Sequence, residues 1–275
     1  MANKGYVPFL KWPGGKRWFV SKYASCMPAN YKRYYEPFLG GGSVFFHLRP
    51  AKATITDINP DLINMYTAMR DDPNGLREIL IYHQENHSPE HYYEVRMDNP
   101  NVSVERAGRF LYLNRTCFNG MYRVNQQGVF NVPIGTKHDC IYDIDLFNEY
   151  SEILKKATIR VDDFARTIGR AREGDVIFAD PPYTIAHNQN SFIKYNEHLF
   201  TWADQRRLFK TLRSAKDRGA IVFLTNANHQ AVRDMYDNNG FHITVLKRYS
   251  SISGVKEKRG IQEELLITSI PIEEV

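Results

Sequence analysis

The chain has 275 residues, of which 43% are hydrophobic and 24% are charged. This is enough for one large α/β domain with a sizeable insertion, whereas no apolar run approaches the ~20 residues that a membrane span needs. The formal net charge of +5 favours a polyanionic partner but does not require one, because many enzymes with this balance bind no nucleic acid.

Cysteine and histidine usage limits the chemistry further. Cys26, Cys117 and Cys140 are far apart and form no C-x-x-C pair, and the nine histidines show no zinc-ligand spacing. The start of the sequence, residues 1–4, lacks an apolar signal region. We therefore expect a cytoplasmic protein with reduced thiols and no metal site.

Near the start, residues 10–17 form a Gly-Gly turn that carries an indole and two cations. The turn is similar to a phosphate loop, but Leu10 and Arg17 stand where the Walker pattern needs glycine and Ser or Thr. A nucleotide triphosphatase is therefore a poor interpretation, and an ordinary structural turn stays open.

Residues 34–46 combine a short aromatic strand, three consecutive glycines and an apolar helix start. This order is typical of a cofactor loop, although Phe45 replaces the third glycine of the dinucleotide fingerprint. Asp57 ends the next predicted strand, 15 residues after Gly42. Such an acid usually binds a ribose hydroxyl, but Asp57 could also be a turn residue before Asn59-Pro60, a predicted cap and helix start.

The middle of the chain, from about residue 61 to 144, breaks the alternation of strands and helices. Helices are predicted over 61–70, 76–85 and 105–115. The segment 114–128 then predicts a hairpin and loop, because Asn119-Gly120 is followed by a polar run ending in glycine. Its arginine, asparagine and aromatic residues are of the types that hydrogen-bond to base edges and insert between stacked bases. An ordinary polar hairpin explains them equally well.

After about residue 145 the alternation resumes. Helices are predicted over 146–156, from Thr201 with a capping box, and over 229–239, closed by Gly240. Strands are predicted over 175–179, 220–224, 241–246 and 264–268. Between the last two strands the sequence predicts a loop with five basic residues, which could contact phosphates or simply be solvated: Lys247, Arg248, Lys256, Lys258 and Arg259.

The tetrapeptide Asp180-Pro181-Pro182-Tyr183 follows the buried strand 175–179 and is the most informative stretch. Because proline cannot donate to a sheet, Asp180 must lie on a stiff turn at the strand's carboxyl end, where α/β sheets bind ligands. A planar base could donate its amine hydrogens to the Asp180 carboxylate and the Pro181 carbonyl while Tyr183 stacks on its face. The alternative is a proline-terminated strand with a capping aspartate.

Taken together, these motifs resemble the DNA adenine methyltransferase (Dam) family, the amino-methyltransferases with a DPPY motif, over nearly the whole chain. The matching segments are Leu10–Lys16, Glu36–Val44, Thr56–Asn59, Leu111–Arg115, Phe118–Arg123, Gly128–Gly135, Asp180–Tyr183 and Glu264–Leu266. The resemblance implies an α/β fold, with a Rossmann-like S-adenosylmethionine-dependent methyltransferase sheet and an inserted, mainly helical DNA-recognition domain containing a β-hairpin. It implies a catalytic domain over 1–60 and 145–275 and a target-recognition domain over 61–144.

The same resemblance assigns site residues. Catalysis is expected from Asp180, Pro181, Pro182 and Tyr183. The expected contacts to S-adenosyl-L-methionine are Trp12, Lys16, Phe38, Gly40, Gly42, Asp57 and Asp180. DNA contacts are expected from Lys11, Phe118, Asn119, Met121 and Arg123, with no metal.

The expected activity is direct transfer of a methyl group to the exocyclic amine of adenine in duplex DNA, by base flipping and at GATC. The expected partner is double-stranded DNA, and the protein is expected to be a monomer that does not associate with a membrane. The sequence does not determine whether a cognate restriction endonuclease exists. One alternative is a cytosine-amine methyltransferase, in which Ser more often replaces Asp180. Another is a non-catalytic DNA-binding protein that keeps the fold. A cytosine ring-carbon enzyme is disfavoured because none of the cysteines follows a proline as that chemistry needs.

Overall fold

The computed structural model describes residues 8–125, 127–139, 144–183, 200–250 and 260–272, the side chains of 248–250, 260 and 261 excepted. Its ten α-helices in the described part are α1 Arg17–Tyr23, α2 Ser43–Leu48, α3 Pro60–Asp71, α4 Pro73–Glu85, α5 Pro89–Met97, α6 Ser103–Thr116, α7 Phe147–Leu154, α8 Phe164–Gly169, α9 Trp202–Asp217 and α10 Gln230–Tyr236. Short 3-10 helices lie at Ala24–Cys26, Phe118–Gly120 and Ile144–Leu146. No helix in these ranges is long and apolar enough to cross a membrane.

Seven strands form one sheet in the order β3-β2-β1-β4-β5-β7-β6. They are β1 Tyr34–Glu36, β2 Ala53–Asp57, β3 Ala157–Val161, β4 Val176–Ala179, β5 Ile221–Ala227, β6 His242–Ser250 and β7 Gly260–Thr268. Strand β4 is parallel to β1 and β5, whereas β7 is antiparallel to β5 and β6. Apart from the reversed β7, this is the doubly wound order, so the predicted Rossmann-like α/β sheet is confirmed.

The chain divides into two compact units by packing. The first contains residues 1–20, 39–51 and 55–161, and the second contains residues 21–38, 52–54 and 162–275. This division groups residues by contacts and not by function. The catalytic domain over 1–60 and 145–275 and the target-recognition domain over 61–144 therefore stay predictions.

Within the first unit, three helices begin with the same local signal, a capping side chain followed by proline. Asn59 accepts hydrogen bonds from the N–H groups of Asp61 and Leu62, Asp72 from that of Gly75, and Ser88 from that of His91, at 2.9–3.1 Å. Such a cap is worth about 1 kcal/mol, and proline is favourable at the first helical position because its missing N–H would be unpaired there anyway. The cap predicted at Asn59-Pro60 is confirmed.

The hairpin predicted over 114–128 extends further along the chain, to Ile134. Its two arms are joined by isolated β-bridges and not by a continuous ladder. Antiparallel bridges join Cys117 to Ile134 and Val124 to Phe130. The N–H of Asn125 donates to the Val129 carbonyl, and that of Asn131 donates to the Arg123 carbonyl. We call residues 117–134 the recognition hairpin, after the DNA contacts that the sequence predicts for them. Its returning arm supplies hydrogen-bond partners that the sequence did not predict.

The second unit contains β4, β5 and the helices packed on them. All four residues of β4 are fully buried, and the core includes Ile177, Leu224 and Leu265. The predicted capping box is confirmed: Thr201 Oγ1 accepts from the Asp204 N–H, and Asp204 Oδ2 accepts from the Thr201 N–H.

Some predicted boundaries were wrong in this unit. Strand β6 continues to Ser250 because it pairs with β7 along its whole length, so Lys247 and Arg248 lie in a strand and not in a loop. The last predicted helix ends at Tyr236 instead of Asn239. Three other basic residues of the predicted loop lie outside the described residues: Lys256, Lys258 and Arg259.

Candidate active site

Strand register places Asp180 beside Thr225. Ala179 of β4 is opposite Leu224 of β5 in a parallel pair, so the next residues along the two strands are neighbours. The Thr225 hydroxyl donates to Asp180 Oδ1 at 2.7 Å. Asp180 is half-buried and Pro181 is buried, so the carboxylate lies on the predicted stiff turn and has a fixed donor.

Tyr183 is anchored through its hydroxyl. This group donates to Glu264 Oε2 at 2.5 Å, and Glu264 of β7 is only 4% exposed. Burial raises the pKa of Tyr183 well above its ordinary value, and the charges of Asp180 and Glu264 raise it further. The phenol therefore stays protonated and keeps donating, which holds the ring in one place.

Thr225 and Glu264 were not among the predicted site residues. Glu264 had a signal in the sequence, because this carboxylate directly precedes the apolar residues 265–267 of a predicted strand, and buried charges are paired. Thr225 had none, since threonine is an ordinary strand residue.

Phe38 follows β1, which is parallel to β4, so the backbone after β1 and the Asp180 turn share one edge of the sheet. The Phe38 ring stacks on Phe164 at 5.3 Å and meets Phe200 edge-on at 5.6 Å. Its ring therefore belongs to the apolar core of the second unit, and its predicted contact to a cofactor stays a prediction.

In the first unit, the glycine turn is held by Asp57. The Gly40 N–H donates to Asp57 Oδ2 and the Asn59 N–H donates to Oδ1, both at 3.0 Å. Gly40 and Gly42 adopt positive φ values of 48° and 66°, a conformation that favours glycine. Burial raises the pKa of Asp57, and these N–H groups partly offset the rise. Asp57 is thus at least a turn residue, as one of its two predicted roles required.

Trp12 packs directly on the glycine turn. A Cβ added to Gly40 would lie 2.7 Å from Trp12 Cδ1, and one added to Gly41 would lie 3.3 Å from Trp12 Cβ. The glycines therefore make room for the protein's own indole, whereas the sequence suggested that they make room for a ligand. Lys16 is buried, and its ammonium group donates to the Gly14 carbonyl at 3.1 Å within its own turn.

The predicted DNA contacts lie mostly at the surface of the recognition hairpin. Phe118 is 50% exposed and Met121 is 37% exposed, although both are large apolar side chains. Asn119 is exposed with a φ of 57°. Arg123 is exposed, and its Nε donates to Asn131 Oδ1 at 2.9 Å, so its guanidinium is oriented by the returning arm.

The Lys11 backbone is hydrogen-bonded to Asn114 at the end of α6, and its side chain lies near other cations. Its N–H donates to the Asn114 side chain, whose amide donates back to the Lys11 carbonyl, at 3.1 and 2.8 Å. Burial lowers the pKa of Lys11, and the nearby charges of Lys137 and Arg115 lower it further. Three cations close together repel one another, so a polyanion would relieve this repulsion.

Metal and thiol chemistry find little support in the described ranges. There, no group of three or more His, Cys, Asp or Glu side chains could hold a metal ion. Cys26 and Cys117 are free thiols, and burial raises the pKa of each to about 11, so neither is a reactive thiolate. Cys140 lies outside the described residues.

Comparison with known proteins identifies the class. The family model for D12 class N6 adenine-specific DNA methyltransferases matches residues 12–252, so the chain belongs to this family and is an enzyme that methylates DNA.

The sequence is also similar to individual relatives over nearly its full length. The chain is 35% identical to a type II methyltransferase of Lactococcus lactis subsp. cremoris, covering 95% of each chain. It is 36% identical to a type II methyltransferase of Methanocaldococcus jannaschii, covering 94% of this chain and 98% of that one. It is also 32% identical to the DNA adenine methylase of Vibrio cholerae, covering 96% of both. The predicted resemblance to the Dam family is confirmed.

Proposed function

We propose that this enzyme transfers a methyl group from S-adenosylmethionine to the exocyclic amine of an adenine flipped out of duplex DNA, at GATC sites. The observation that carries the proposal is the Asp180–Tyr183 turn, in which Thr225 holds the carboxylate and Glu264 holds the phenol. The family supplies the base and the substrate class, and the anchored turn suggests how the base is held.

The glycine turn fits the methyl donor. Asp57 is a half-buried carboxylate with two acceptor oxygens, which suits the hydroxyls of a ribose. Trp12 places its indole ring next to Gly40, which brings an aromatic group to the turn that a planar adenine ring would contact. We infer that Trp12, Gly40, Gly42 and Asp57 hold S-adenosylmethionine, with Lys16, Phe38 and Asp180 as further contacts. When bound, this cofactor supplies an electrophilic methyl group on a sulfonium.

The chain's own residues then act by positioning. Asp180 and the Pro181 carbonyl accept the two amine hydrogens of the flipped adenine, and Tyr183 stacks on its ring. These bonds orient the nitrogen lone pair and favour the tetrahedral nitrogen of the transition state. Asp180 need not be a strong base, because the nitrogen becomes acidic as it gains a fourth bond. Pro182 keeps the turn stiff.

Sequence recognition is assigned to the recognition hairpin. Its exposed Phe118 and Met121 are suited to wedging between base pairs, a step that helps to unstack the target. Flipping a base costs a few kcal/mol, so such wedges lower the barrier. Arg123 can read a guanine through both acceptors of its major-groove edge, and we infer that Lys11 and Asn119 are further DNA contacts.

The experiment that tests this function uses labelled S-adenosylmethionine and a panel of duplexes, followed by mass spectrometry of the digested DNA. We expect methylated adenine from GATC duplexes and little from duplexes altered at one base pair. Methylated cytosine would instead support the cytosine-amine alternative. Cofactor and duplex binding without any transfer would support a non-catalytic DNA-binding protein.

A further inference from the structure

Tyr122 contacts the residue that packs on the glycine turn. Its ring stacks on the Trp12 indole with centroids 5.2 Å apart and planes inclined by 26°. Phe110 of α6 completes the cluster, at 6.3 Å from Trp12 and 5.2 Å from Tyr122. Tyr122 lies in the recognition hairpin between Met121 and Arg123, so an aromatic contact connects the predicted DNA-reading segment to the predicted cofactor segment.

Trp12 also packs against Gly40 and Gly41, where added Cβ atoms would lie 2.7 and 3.3 Å from it. This contact is close, and closely packed groups in protein interiors transmit displacements to one another. A movement of the indole therefore alters both the glycine turn and the hairpin. The Gly40 N–H of the same turn donates a hydrogen bond to Asp57, the residue predicted to bind the ribose, so Asp57 is also connected to the indole.

A parallel connection runs through the preceding residue. Lys11 exchanges two hydrogen bonds with the Asn114 side chain. A Cβ added to Gly120 would lie 2.3 Å from Lys11 Cδ, so the lysine stem lies against the hairpin backbone. The backbone that leads into Trp12 is thus held against α6 and the hairpin, so the position of Trp12 depends on both.

We propose that Tyr122 is a positioning residue that couples cofactor binding to sequence-specific DNA binding through its stack on Trp12. Engagement of DNA by the hairpin positions the indole for the cofactor, and by linkage the cofactor tightens specific DNA binding by the same factor. The alternative is that the aromatic cluster only stabilises the fold. The inference rests on the proposed function, because it assumes that the two segments bind S-adenosylmethionine and DNA.

The test measures a coupling factor, the ratio of dissociation constants for S-adenosylhomocysteine without and with a GATC duplex. Calorimetry gives these constants without any methyl transfer. In the wild type we expect a factor of about 5 to 150, the usual range for coupled sites. In Tyr122→Leu we expect this factor to fall by about 2- to 12-fold, since this is the contribution of a stacked aromatic pair. Tyr122→Phe keeps the ring and should keep the wild-type factor.

Two controls separate coupling from stability. Phe130→Leu removes a ring that contacts Tyr122 at 5.9 Å but leaves the Trp12 stack in place, so its coupling factor should be that of the wild type. If Tyr122→Leu does not fold, Tyr122→Met replaces it, because an unbranched side chain fills the space without a flat face. The reciprocal factor, from duplex affinity with and without S-adenosylhomocysteine, must agree with the first.

A wild-type factor near one, or an unchanged factor in Tyr122→Leu or in the Tyr122→Met variant that replaces it, overturns the coupling proposal. Either result leaves the proposed function standing if labelled methyl groups still reach adenine. Failure of the wild type to bind S-adenosylhomocysteine and to transfer a methyl group would instead refute the proposed function, so the two failures are distinguishable.

Discussion

At the scale of single residues, Asp180 has a fixed position and a fixed donor. The two prolines that follow limit the backbone, and Thr225 donates to one carboxylate oxygen at 2.7 Å. The proposed mechanism requires this carboxylate to accept from the adenine amine. The side chain is half-buried at the end of a buried strand, so its removal should affect chemistry much more than folding.

We expect Asp180→Ala to lower the rate of methyl transfer by about 10²-fold or more, the usual effect of removing one group that binds the transition state. Asp180→Asn should lose nearly as much activity, because the Thr225 hydroxyl competes for the single acceptor oxygen of the amide and the negative charge is gone. Circular dichroism and thermal unfolding would check that both variants fold. Wild-type-like single-turnover rates in Asp180→Ala would refute the mechanism.

Asp57 offers a second test at this scale. Asp57→Ala should weaken binding of S-adenosylmethionine while changing the affinity for cofactor-free duplex much less. Asn59→Ala is the matched control, because it removes the α3 cap in the same turn and should cost about 1 kcal/mol of stability without a comparable loss of cofactor affinity. Equal cofactor affinities of Asp57→Ala and wild type by calorimetry would leave Asp57 with only its turn role.

At the scale of elements, the pairing of β5 with β7 brings Glu264 to the active-site turn. Ala227 is opposite Glu264, so the carboxylate lies near the carboxyl end of β5, the end at which Thr225 contacts Asp180. Residues far apart in the sequence thereby anchor the two side chains proposed to hold adenine.

We expect Glu264→Gln and Tyr183→Phe each to reduce transfer by about 10-fold, which corresponds to about 1.4 kcal/mol, near the value of a hydrogen bond to a charged group. Because both changes break the same 2.5 Å bond, the double variant should be little worse than either single variant. Single-turnover rates on a GATC duplex measure this. Multiplicative losses in the double variant would show that the two residues act independently.

The recognition hairpin is the second element with a specific expectation. Arg123 is exposed and its Nε is held by Asn131. Arg123→Ala should lower activity on GATC and reduce discrimination against duplexes altered at the outer G·C pair by about 1–3 kcal/mol.

The matched control for this hairpin is Lys137→Ala, which removes one member of the cation group around Lys11. It should weaken binding to all duplexes about equally and flatten the salt dependence, as expected for a phosphate contact. Initial rates on both duplexes at two salt concentrations separate the two patterns. If Arg123→Ala keeps full discrimination, the specificity must come from other residues of the hairpin.

At the scale of the whole molecule, a group of histidines in the first unit links stability to pH. His83 Nδ1 lies 3.0 Å from His91 Nε2, and its ring stacks on Tyr112 at 4.7 Å. Burial and, to a smaller extent, the neighbouring His91 lower the pKa of His83 to about 4, and Asp98 partly opposes this. The folded protein therefore keeps His83 neutral at pH values where the unfolded chain binds a proton.

Because His83 stays neutral in the folded protein, stability is lost as pH falls. Above the unfolded pKa of about 6.5 neither state is protonated at His83, and between 6.5 and 4 only the unfolded state gains a proton. The free energy of unfolding should fall by about 1.6 kcal/mol between pH 6.5 and pH 5 from this residue. His83→Gln should show a shallower fall in urea unfolding experiments. Parallel pH profiles for both proteins would contradict this assignment.

The sequence by itself was sufficient for the turn at Asp180, the glycine turn, the caps at Asn59 and Thr201, and the family. These features depend on local chemistry: proline ends a strand, glycine permits positive φ, and a capping side chain starts a helix within a few residues. The strand–helix alternation likewise predicted most strands of the sheet, because each pattern has its own period, whereas the Rossmann-like form of that sheet was implied by the family resemblance.

Only the tertiary structure decided which side chains anchor the others. Thr225 reaches Asp180 through the parallel register of β4 and β5, and Glu264 reaches Tyr183 from a strand 81 residues further along the chain. The stack of Tyr122 on Trp12 and the fit of Trp12 against Gly40 join segments that no local pattern connects. The reason is that register and packing depend on the summed contacts of distant segments, whereas capping and turn formation depend only on neighbours in the chain.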